Sequence, residues 1–464
     1  MDESDRVASD AARVYAASPT EGAANHRHPD NPSENPSGNA SGNASGNLSP
    51  RLSAHPSGNF SPNPPTRDAV LSGMRPTGAL HLGHYHGALV NWVALQDRYR
   101  SFFFVADWHA LTTHYASPEV IRNNVREMVI DWLAAGIDPE RSVIFVQSQL
   151  PQHAELHLLL SMCTPLGWLE RVPSYKDQQA NLSDKDLTTY GFLGYPLLQA
   201  ADILVYQAAW VPVGEDQVPH VELTREVARR FNHLYGRETD LDTRITGLLS
   251  SINANLGQEL RAGRQAWLEG GDHEALRLAQ QRIGQLPCDP ANRQRLLGWL
   301  AGGGRQILRE PQALLTEASR LPGVDGRKMS KSYGNAIAMR DDPAQVETRI
   351  RRMPTDPARV RRTDPGDPER CPVWELHKVY CPASVRSWVQ EGCRAAAIGC
   401  MDCKRPLIDA VLDEQQRFRH RAEPYLRDPE AVDAMLRKGC ETAAEVAEQT
   451  MVEVRSSMGL MARL

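Results

Sequence analysis

The sequence predicts an α/β protein built on a doubly wound, parallel (Rossmann-like) sheet, with a C-terminal helical domain and a disordered N-terminal tail. Three observations support this prediction. Short apolar segments alternate with helical patterns over residues 69–148. No clear strand follows Arg230, where helical patterns continue to the end of the chain. From Asn31 to Pro65 the chain is mostly Ser, Asn, Pro and Gly, and such a segment buries too little apolar surface to offset the entropy of ordering it.

The individual elements follow from local patterns. Strands are predicted at residues 69–74, 101–108 and 142–148, with helices at 83–99 and 117–135. Strands that alternate with helices pair in parallel and have helices on both faces. The chain then divides into five expected parts: a disordered tail (1–68), a catalytic domain (69–239), a helical insertion (240–316), a loop of the catalytic domain (317–340) and a helical domain (341–464).

Composition excludes several classes of protein. The chain has 464 residues, enough for two or three domains. It has no run of eighteen apolar residues and no apolar signal segment at its acidic start, so we expect a cytoplasmic protein without a membrane partner. The net charge of −5 limits any nucleic-acid surface to a local patch. Eight cysteines without a secretory signal do not predict a disulfide framework.

Residues 72–84, which we call the histidine loop, lie where the first strand ends and the next helix begins. Their sequence is Ser-Gly-Met-Arg-Pro-Thr-Gly-Ala-Leu-His-Leu-Gly-His. A helix N-terminus at the carboxyl end of a strand attracts phosphate, and Gly78 and Gly83 allow a nucleotide to approach closely. His81 and His84 can each donate a hydrogen bond to a phosphate oxygen. Alone, this pattern is also typical of an ordinary surface loop.

Residues 326–332, which we call the lysine loop, have the sequence Gly-Arg-Lys-Met-Ser-Lys-Ser. Two lysines and two serines beside glycine form a cationic loop that can follow a polyphosphate as charge moves onto the leaving group. The order of residues differs from that of a Walker phosphate-binding loop. Alone, the loop is equally typical of a solvated basic turn.

The two loops together resemble the signature pair of the class I aminoacyl-tRNA synthetases, His-x-Gly-His and Lys-Met-Ser-Lys-Ser. The segments at residues 195–206, 211–217 and 220–225 resemble the tryptophanyl-tRNA synthetase family in particular. That resemblance runs from about residue 69 to the C-terminus. It implies a bacterial type of the enzyme, with a helical insertion and a cysteine group.

The residues support tryptophan as the amino acid. Asp202 lies in an apolar helical segment, where an unpaired carboxylate is costly. An indole N–H is a donor without acceptor capacity, so a buried carboxylate suits it. The resemblance implies that further residues line the same pocket: Tyr195, His109, Gln199 and Gln217.

The resemblance also implies a reaction. Tryptophan attacks Mg²⁺-ATP to give tryptophanyl-adenylate, and tRNA(Trp) then accepts the aminoacyl group. The expected catalytic residues are Lys328, Lys331, His81 and His84. The expected ATP-binding residues are Arg75, Pro76, Thr77, Gly83, His84, Gly214, Glu215, Asp216, Lys328, Met329, Ser330, Lys331 and Ser332.

Two later segments indicate partners and a cofactor. Residues 349–362 hold six arginines against one acid, a composition suited to tRNA phosphates or to a solvated helical face. Cys371, Cys393, Cys400 and Cys403 resemble the ligands of the four-iron cluster of some bacterial relatives. The residues alone leave three interpretations open: an iron–sulfur cluster (4Fe-4S), a structural zinc ion or plain thiols. The family further implies a homodimer.

Three alternative functions have distinct signatures. The first alternative is a tyrosyl-type synthetase, the nearest relative of the tryptophanyl family. Gln199 is consistent with it, because many tryptophanyl enzymes carry methionine at this position and tyrosyl enzymes often carry glutamine. A non-catalytic RNA-binding paralogue would have no need to keep both the lysine loop and Asp202. A redox protein built on the cysteines would not require an ATP site.

Overall fold

The computed structural model describes residues 68–172, 188–315 and 321–461, so the predicted disordered tail lies outside the described residues apart from Asp68. Within these ranges the strands form one sheet of five. They are β1 (Ala69–Met74), β2 (Arg100–Val105), β3 (Ser142–Val146), β4 (Trp210–Val213) and β5 (Gln312–Leu315). Their order is β3-β2-β1-β4-β5, with every neighbouring pair parallel. This is the doubly wound arrangement that the sequence predicts.

Helices connect the strands and continue to the C-terminus. Before β4 they are α1 (Leu82–His84), α2 (Val90–Leu95), α3 (Asp107–His114), α4 (Pro118–Ala135), α5 (Pro151–Ser161), α6 (Leu166–Glu170) and α7 (Tyr190–Val205). A π-helical segment, Tyr85–Leu89, joins α1 to α2. After β4 they are α8 (Val218–Tyr235), α9 (Leu241–Ser251), α10 (Ala254–Gly270), α11 (His273–Gly284), α12 (Pro290–Leu300), α13 (Pro343–Arg352), α14 (Pro372–Tyr380), α15 (Ala383–Arg394), α16 (Cys400–Arg427) and α17 (Pro429–Ser457).

Helices cover both faces of the sheet. Along β2, Phe102 and Phe104 face a core shared with α5, α7 and α8, whereas Phe103 and Val105 face a core shared with α2, α4 and α16. Successive side chains of a strand point to opposite faces, so a strand that is apolar at every position is buried on both sides. This explains why the second predicted strand has an almost continuous aromatic sequence.

Two strands were not predicted, and the prediction that no strand follows Arg230 is wrong. β5 has only four residues, of which Leu314 alone is well buried, so it has little apolar signal. β4 contains Pro212, a residue that usually argues against a central strand. It is tolerated here because β4 pairs with β1 at one position only, Val70 with Trp210.

The segment predicted as a helical insertion leaves and rejoins the sheet domain at one point. The Arg305 N–H donates to the Gly236 carbonyl at 2.8 Å. Between these residues, α9 to α12 pack around their own apolar core, which includes Ile245, Leu260 and Ile283. The predicted boundary at residue 316 therefore extends past these helices and includes β5.

The C-terminal helices pack back onto the sheet. A Cβ atom built at Gly439 on α17 would lie 1.8 Å from the Ile144 carbonyl oxygen, so glycine is required where α17 crosses the edge strand β3. This contact covers a strand edge that would otherwise be open to pairing. In the described ranges, we find no helix that has both the length and the apolar character of a membrane span.

Candidate active site

The carboxyl ends of four parallel strands lead into the residues of interest. β1 continues into the histidine loop, β2 into α3 with His109, β3 into Gln147 and α5, and β4 into Gly214. The carboxyl ends of parallel strands share one edge of the sheet, and ligands of open α/β sheets bind there. The topology therefore gathers at one edge segments that are far apart in the sequence.

The histidine loop and the lysine loop meet at this edge. Gly78 has φ of +126°, in the region that favours glycine. A Cβ atom built there would lie 3.3 Å from Lys331 Nζ, and one built at Gly83 would lie 3.6 Å from the Met329 Cβ. Lys328 is exposed on the same loop. Gly78 thus leaves room for Lys331, whereas Gly83 leaves room for the ring of His81, whose Nδ1 would lie 2.9 Å from an added Cβ.

His81 and His84 form a stacked pair at the start of α1. Their ring centroids are 3.7 Å apart, and the His81 backbone N–H donates to His84 Nδ1 at 3.2 Å. Because Nδ1 of His84 accepts, its neutral ring carries the proton on Nε2. Burial and the charge of Lys331 lower the pKa of His81 to about 4, and burial lowers the pKa of His84 well below its ordinary value. Both rings are neutral at pH 7 and offer N–H donors rather than positive charge.

Lys331 carries a positive charge that it loses not far above neutral pH. Burial lowers its pKa from 10.5 to about 8, although the charge of Asp131 opposes this shift. The ammonium is therefore mostly charged at pH 7 and loses its proton under mildly alkaline conditions. An approaching polyphosphate would favour the charged form.

Asn335 holds the lysine loop in shape and was missed in the sequence. It is 2% exposed, and its Oδ1 accepts from the Ser330 N–H at 2.7 Å. Its Nδ2 donates to the Lys328 carbonyl at 3.1 Å and to Asp325 at 2.7 Å. The hydrogen bond from Asn335, together with hydrogen bonds from Arg327, lowers the pKa of the partly exposed Asp325 to about 2. One amide side chain therefore fixes the backbone on both sides of Met329.

Asp202, on α7, is buried beside the same edge of the sheet. Its Oδ1 accepts from Gln147 Nε2 and is hydrogen-bonded to His153 Nδ1, each at 2.7 Å. Its Oδ2 is hydrogen-bonded to His109 Nε2, also at 2.7 Å. Burial alone would raise the pKa of this carboxyl, but the hydrogen bonds and charges of the two histidines outweigh burial and lower it. Asp202 is therefore an ionised acceptor in a dry site.

Of the tryptophan-pocket candidates, His109 is joined directly to Asp202, and Tyr195 is buried on the same helix, α7. Tyr195 packs against His220, with ring centroids 5.8 Å apart. Gln199 is half-buried and Gln217 is exposed. Among the contacts of the described residues, none joins either glutamine to Asp202.

Sequence reasoning missed Gln147 and His153, although both follow the strand Ser142–Val146, which was predicted to extend to residue 148. His153 is fully buried, and its Nε2 is hydrogen-bonded to the Tyr206 hydroxyl at 2.8 Å. The position just after a strand end was the available signal, because it points to the ligand-binding edge. The hydrogen-bonded group around Asp202 is thus built from three separate segments.

The remaining ATP candidates lie in the histidine loop, in the lysine loop and directly after β4. Pro76 is buried, and the Thr77 N–H donates to the Arg75 carbonyl at 2.9 Å. A Cβ atom built at Gly214 would lie 2.9 Å from Oδ1 of the exposed Asp216 side chain. The exposed candidates are Arg75, Glu215 and Asp216. The side chain of Ser332 lies outside the described part of the chain.

The four candidate metal ligands Cys371, Cys393, Cys400 and Cys403 line one cavity, together with Arg359 and Lys404. Arg359 Nη1 donates to Cys393 Sγ at 3.7 Å. In the described ranges, however, no three His, Cys, Asp or Glu side chains are arranged so that they could hold a metal ion. The structure therefore does not support the structural zinc ion that the cysteine spacing also allowed, and it contains no direct support for iron.

The arginine-rich segment is only partly available to a partner. Arg359 is 9% exposed and donates to backbone carbonyls, and Arg349 Nη1 donates to the Ala336 carbonyl at 2.7 Å. Arg351 pairs with Glu347 on the same helix. The arginines with mostly exposed side chains on or after the end of α13 are Arg352, Arg361 and Arg362. The sequence pattern thus combined structural arginines with solvent-exposed ones.

Comparison with known proteins shows the family of this chain. The model of the family described as tRNA synthetases class I (W and Y) matches residues 65–251 and 280–413. A tryptophan–tRNA ligase of Ralstonia nicotianae is 62% identical over 397 residues, which cover 85% of this chain and 98% of the relative. One from Thermotoga maritima is 45% identical, over 84% of this chain and 99% of the relative.

A solved structure has the same fold. It is the tryptophanyl-tRNA synthetase of Campylobacter jejuni complexed with ADP and tryptophan, which is 27% identical with a TM-score of 0.64. It covers 84% of this chain and is itself covered completely. The chain therefore belongs to the class I tRNA synthetases and, within them, to the bacterial tryptophanyl-tRNA synthetase family, as its motifs predicted.

Proposed function

We propose that this chain activates tryptophan with Mg²⁺-ATP and transfers it to tRNA(Trp). The observation that supports this most directly is the ionised, buried Asp202 at the edge where the histidine and lysine loops meet. An acid at the bottom of the pocket recognises the indole N–H, and the two loops above it suit a triphosphate.

The first step needs no general base, because the tryptophan carboxylate is already ionised at pH 7. It attacks the α-phosphorus, forms the acyl–phosphate bond, and pyrophosphate leaves with the electron pair. Negative charge grows on the leaving group, where Lys331 and Lys328 supply positive charge. His84 contributes the Nε2–H donor and His81 lies stacked beside it. Catalysis then rests on positioning and electrostatics.

Amino-acid recognition depends on the carboxylate of Asp202. A carboxylate offers about four acceptor positions, and Oδ2 uses one of them for His109. The indole N–H can occupy another without displacing the hydrogen bonds on Oδ1. Tyr195, Gln199 and Gln217 would then contact the rest of the amino acid, and Gly214, Glu215 and Asp216 the ribose of ATP.

The second step requires tRNA, whose terminal hydroxyl attacks the activated carbonyl and displaces AMP. We assign anticodon binding to the helical part of the chain, residues 341–464. The exposed arginines Arg352, Arg361 and Arg362 suit phosphate, because a guanidinium binds phosphate oxygens in pairs. This activity in protein synthesis would place the chain in the cytoplasm.

We also propose that the four cysteines hold a four-iron cluster. The support is the donor set itself: four thiols line one cavity beside the cations Arg359 and Lys404, which offset the negative charge of a thiolate-bound cluster. A four-iron cluster is held by four cysteine thiolates, the number of thiols that line this cavity. Anaerobic preparations should contain iron and sulfide and absorb near about 400 nm. Iron-free, colourless protein would contradict the proposal.

We propose a homodimer on the basis of exposed apolar side chains on α5 and after it. Leu158, Met162 and Leu166 are 55%, 67% and 56% exposed. Such residues on a folded surface often mark an interface. Light scattering during size-exclusion chromatography should give twice the chain mass, and Leu158→Glu with Met162→Glu should reduce it to a single chain.

The deciding experiment is ATP–pyrophosphate exchange measured side by side with tryptophan and with tyrosine. We expect exchange with tryptophan only. Lys331→Ala should lower it by about 10²-fold or more, the scale of losing one preorganised stabilising group. Exchange with tyrosine would instead identify a tyrosyl-type enzyme, and exchange with neither amino acid would identify a non-catalytic paralogue.

A further inference from the structure

The lysine loop is followed by a segment that pairs with the histidine loop. The Leu82 N–H donates to the Ile337 carbonyl at 3.0 Å, and the Met339 N–H donates to the Leu80 carbonyl at 2.9 Å. His81 and Ala338 face each other in this short antiparallel bridge. Residues 336–341, which we call the return segment, therefore fix the distance between the two loops.

One carboxylate holds both sides of this bridge. Asp131 belongs to α4 and is 2% exposed. Its Oδ2 accepts from the Leu80 N–H at 3.0 Å, and its Oδ1 accepts from Arg340 Nε at 2.6 Å. Arg340 also donates to Glu127 Oε2 at 2.7 Å. Asp131 thus connects the histidine loop to the return segment through one hydrogen bond to each.

A purely stabilising role does not explain this arrangement well. Burial of a charge pair costs desolvation free energy, and apolar residues of similar size often replace such pairs without loss of stability. Burial raises the pKa of Asp131, so the site is not a favourable place for an isolated acid. The pair instead fixes the position of Leu80 relative to Arg340, because a hydrogen bond weakens steeply when its length or angle changes.

The position of the pair connects it with the reacting groups. Leu80 immediately precedes His81, and Arg340 lies nine residues after Lys331. The charge of Asp131 also acts on Lys331 and opposes the loss of its proton. Any shift of Asp131 or Arg340 would change the separation of the histidines from the lysine.

We propose that Asp131 and Arg340 are positioning residues for the activation step, which hold the histidine loop and the lysine loop at the separation that the triphosphate requires. This inference rests on the proposed function, because it assumes that ATP binds between the loops. Neither residue touches the reacting atoms. Their effect passes through Leu80 and the return segment.

The test compares Asp131→Asn and Arg340→Met with Glu238→Gln. Glu238 and Arg295 form a pair of matched geometry, with nitrogen–oxygen distances of 2.6 Å and 3.0 Å, at the helical insertion. We expect both loop variants to lower kcat/KM for ATP by about tenfold or more, since a misplacement of about 1 Å can cost 10²-fold. The dissociation constant for tryptophan should stay unchanged in all three proteins.

A pH profile separates positioning from simple loss of stability. Without the charge of Asp131, Lys331 should lose its proton at lower pH, so the rise of the ATP KM with pH should move to lower pH in Asp131→Asn. A merely structural pair would lower the melting temperature and leave the KM and the pH profile of the folded enzyme unchanged. That result would overturn the proposal.

A readout without catalysis distinguishes failure of this inference from failure of the proposed function. Trypsin should cut the exposed Arg327–Lys328 sites faster in Asp131→Asn and Arg340→Met than in the native chain, with no change in Glu238→Gln. Absence of exchange in the native chain would refute the proposed function only. Equal cleavage rates in all four proteins would refute the proposal that Asp131 and Arg340 hold the two loops in position.

Discussion

At the scale of single residues, buried acids in apolar helices identify the working parts of this protein. Asp202 was found in the sequence because a carboxylate in an apolar segment needs partners. The same reasoning applies to Asp131, which lies between Ile130 and Trp132, and it would have found that residue as well. Neither His153 nor Asn335 carries such a signal, because an uncharged polar residue is ordinary in many helices and turns.

The titration of Lys331 should be visible in kinetics. Its pKa is lowered to about 8 in the free protein, so the ammonium is charged below this pH and neutral above it. The KM for ATP should therefore rise as pH increases from about 7.5 to 9.5. Lys331→Arg keeps its charge over this range and should give a flat profile. A rise of equal size in Lys331→Arg would assign the titration to another group.

Asp202→Asn tests recognition of the amino acid. The substitution keeps the size but places an amide N–H₂ among the donors Gln147, His109 and His153, so buried groups lose their partners. We expect the KM for tryptophan to increase by about tenfold or more, because an unsatisfied buried polar group costs about 1–3 kcal/mol. The KM for ATP, measured in the same assay, serves as the internal control. An unchanged KM for tryptophan would remove Asp202 from the pocket.

At the scale of elements, the sequence predicted the strands and helices that have a strong local signal. It missed those that form only because of contacts with distant parts of the chain. The first three strands were predicted as short apolar runs and the helix at Pro118–Ala135 by its periodicity, and all four exist, although the second strand ends at Val105 rather than at residue 108. The strand Gln312–Leu315 forms because β4 offers an open edge, and nothing within its four residues indicates this. Loop contacts such as that of Gly78 with Lys331 join segments far apart in sequence, and only the family resemblance anticipated them.

The arginine segment can be tested without affecting activation. Arg352, Arg361 and Arg362 are exposed, and replacing all three with alanine should weaken tRNA(Trp) binding and make its dependence on salt concentration less steep. Each lost phosphate contact should reduce that slope by about one. Pyrophosphate exchange should be unchanged. If the salt dependence of tRNA binding stays the same, these arginines do not contact phosphate.

The helical insertion should unfold separately from the sheet. Its core is its own, so Leu260→Ala should destabilise α9 to α12 by about 2–5 kcal/mol, the usual cost of a large cavity. Hydrogen exchange should increase within this segment and stay unchanged in β1 to β3. Increased exchange throughout the sheet would show that the insertion is part of the main folding unit.

At the scale of the whole molecule, α16 connects the cysteine group with the return segment. It begins with Cys400 and Cys403, and its Gln415 Nε2 donates to the Ala338 carbonyl at 2.7 Å. Arg419 on the same helix donates to the Asp341 carbonyl at 3.1 Å. The return segment is therefore attached both to α4 and to the helix that carries two of the four thiols.

This attachment connects the cysteine end of α16 with the edge where the two loops meet, along a helix that contains Pro406. Twelve residues separate Cys403 from Gln415, which is about 18 Å along a helix. A displacement of the cysteine end should pass along α16 to the return segment, which is hydrogen-bonded to Gln415 and Arg419. Occupancy of the helical domain by tRNA should thus alter tryptic cleavage at Lys328 in the native chain, and Gln415→Ala should abolish that response while leaving tRNA affinity intact.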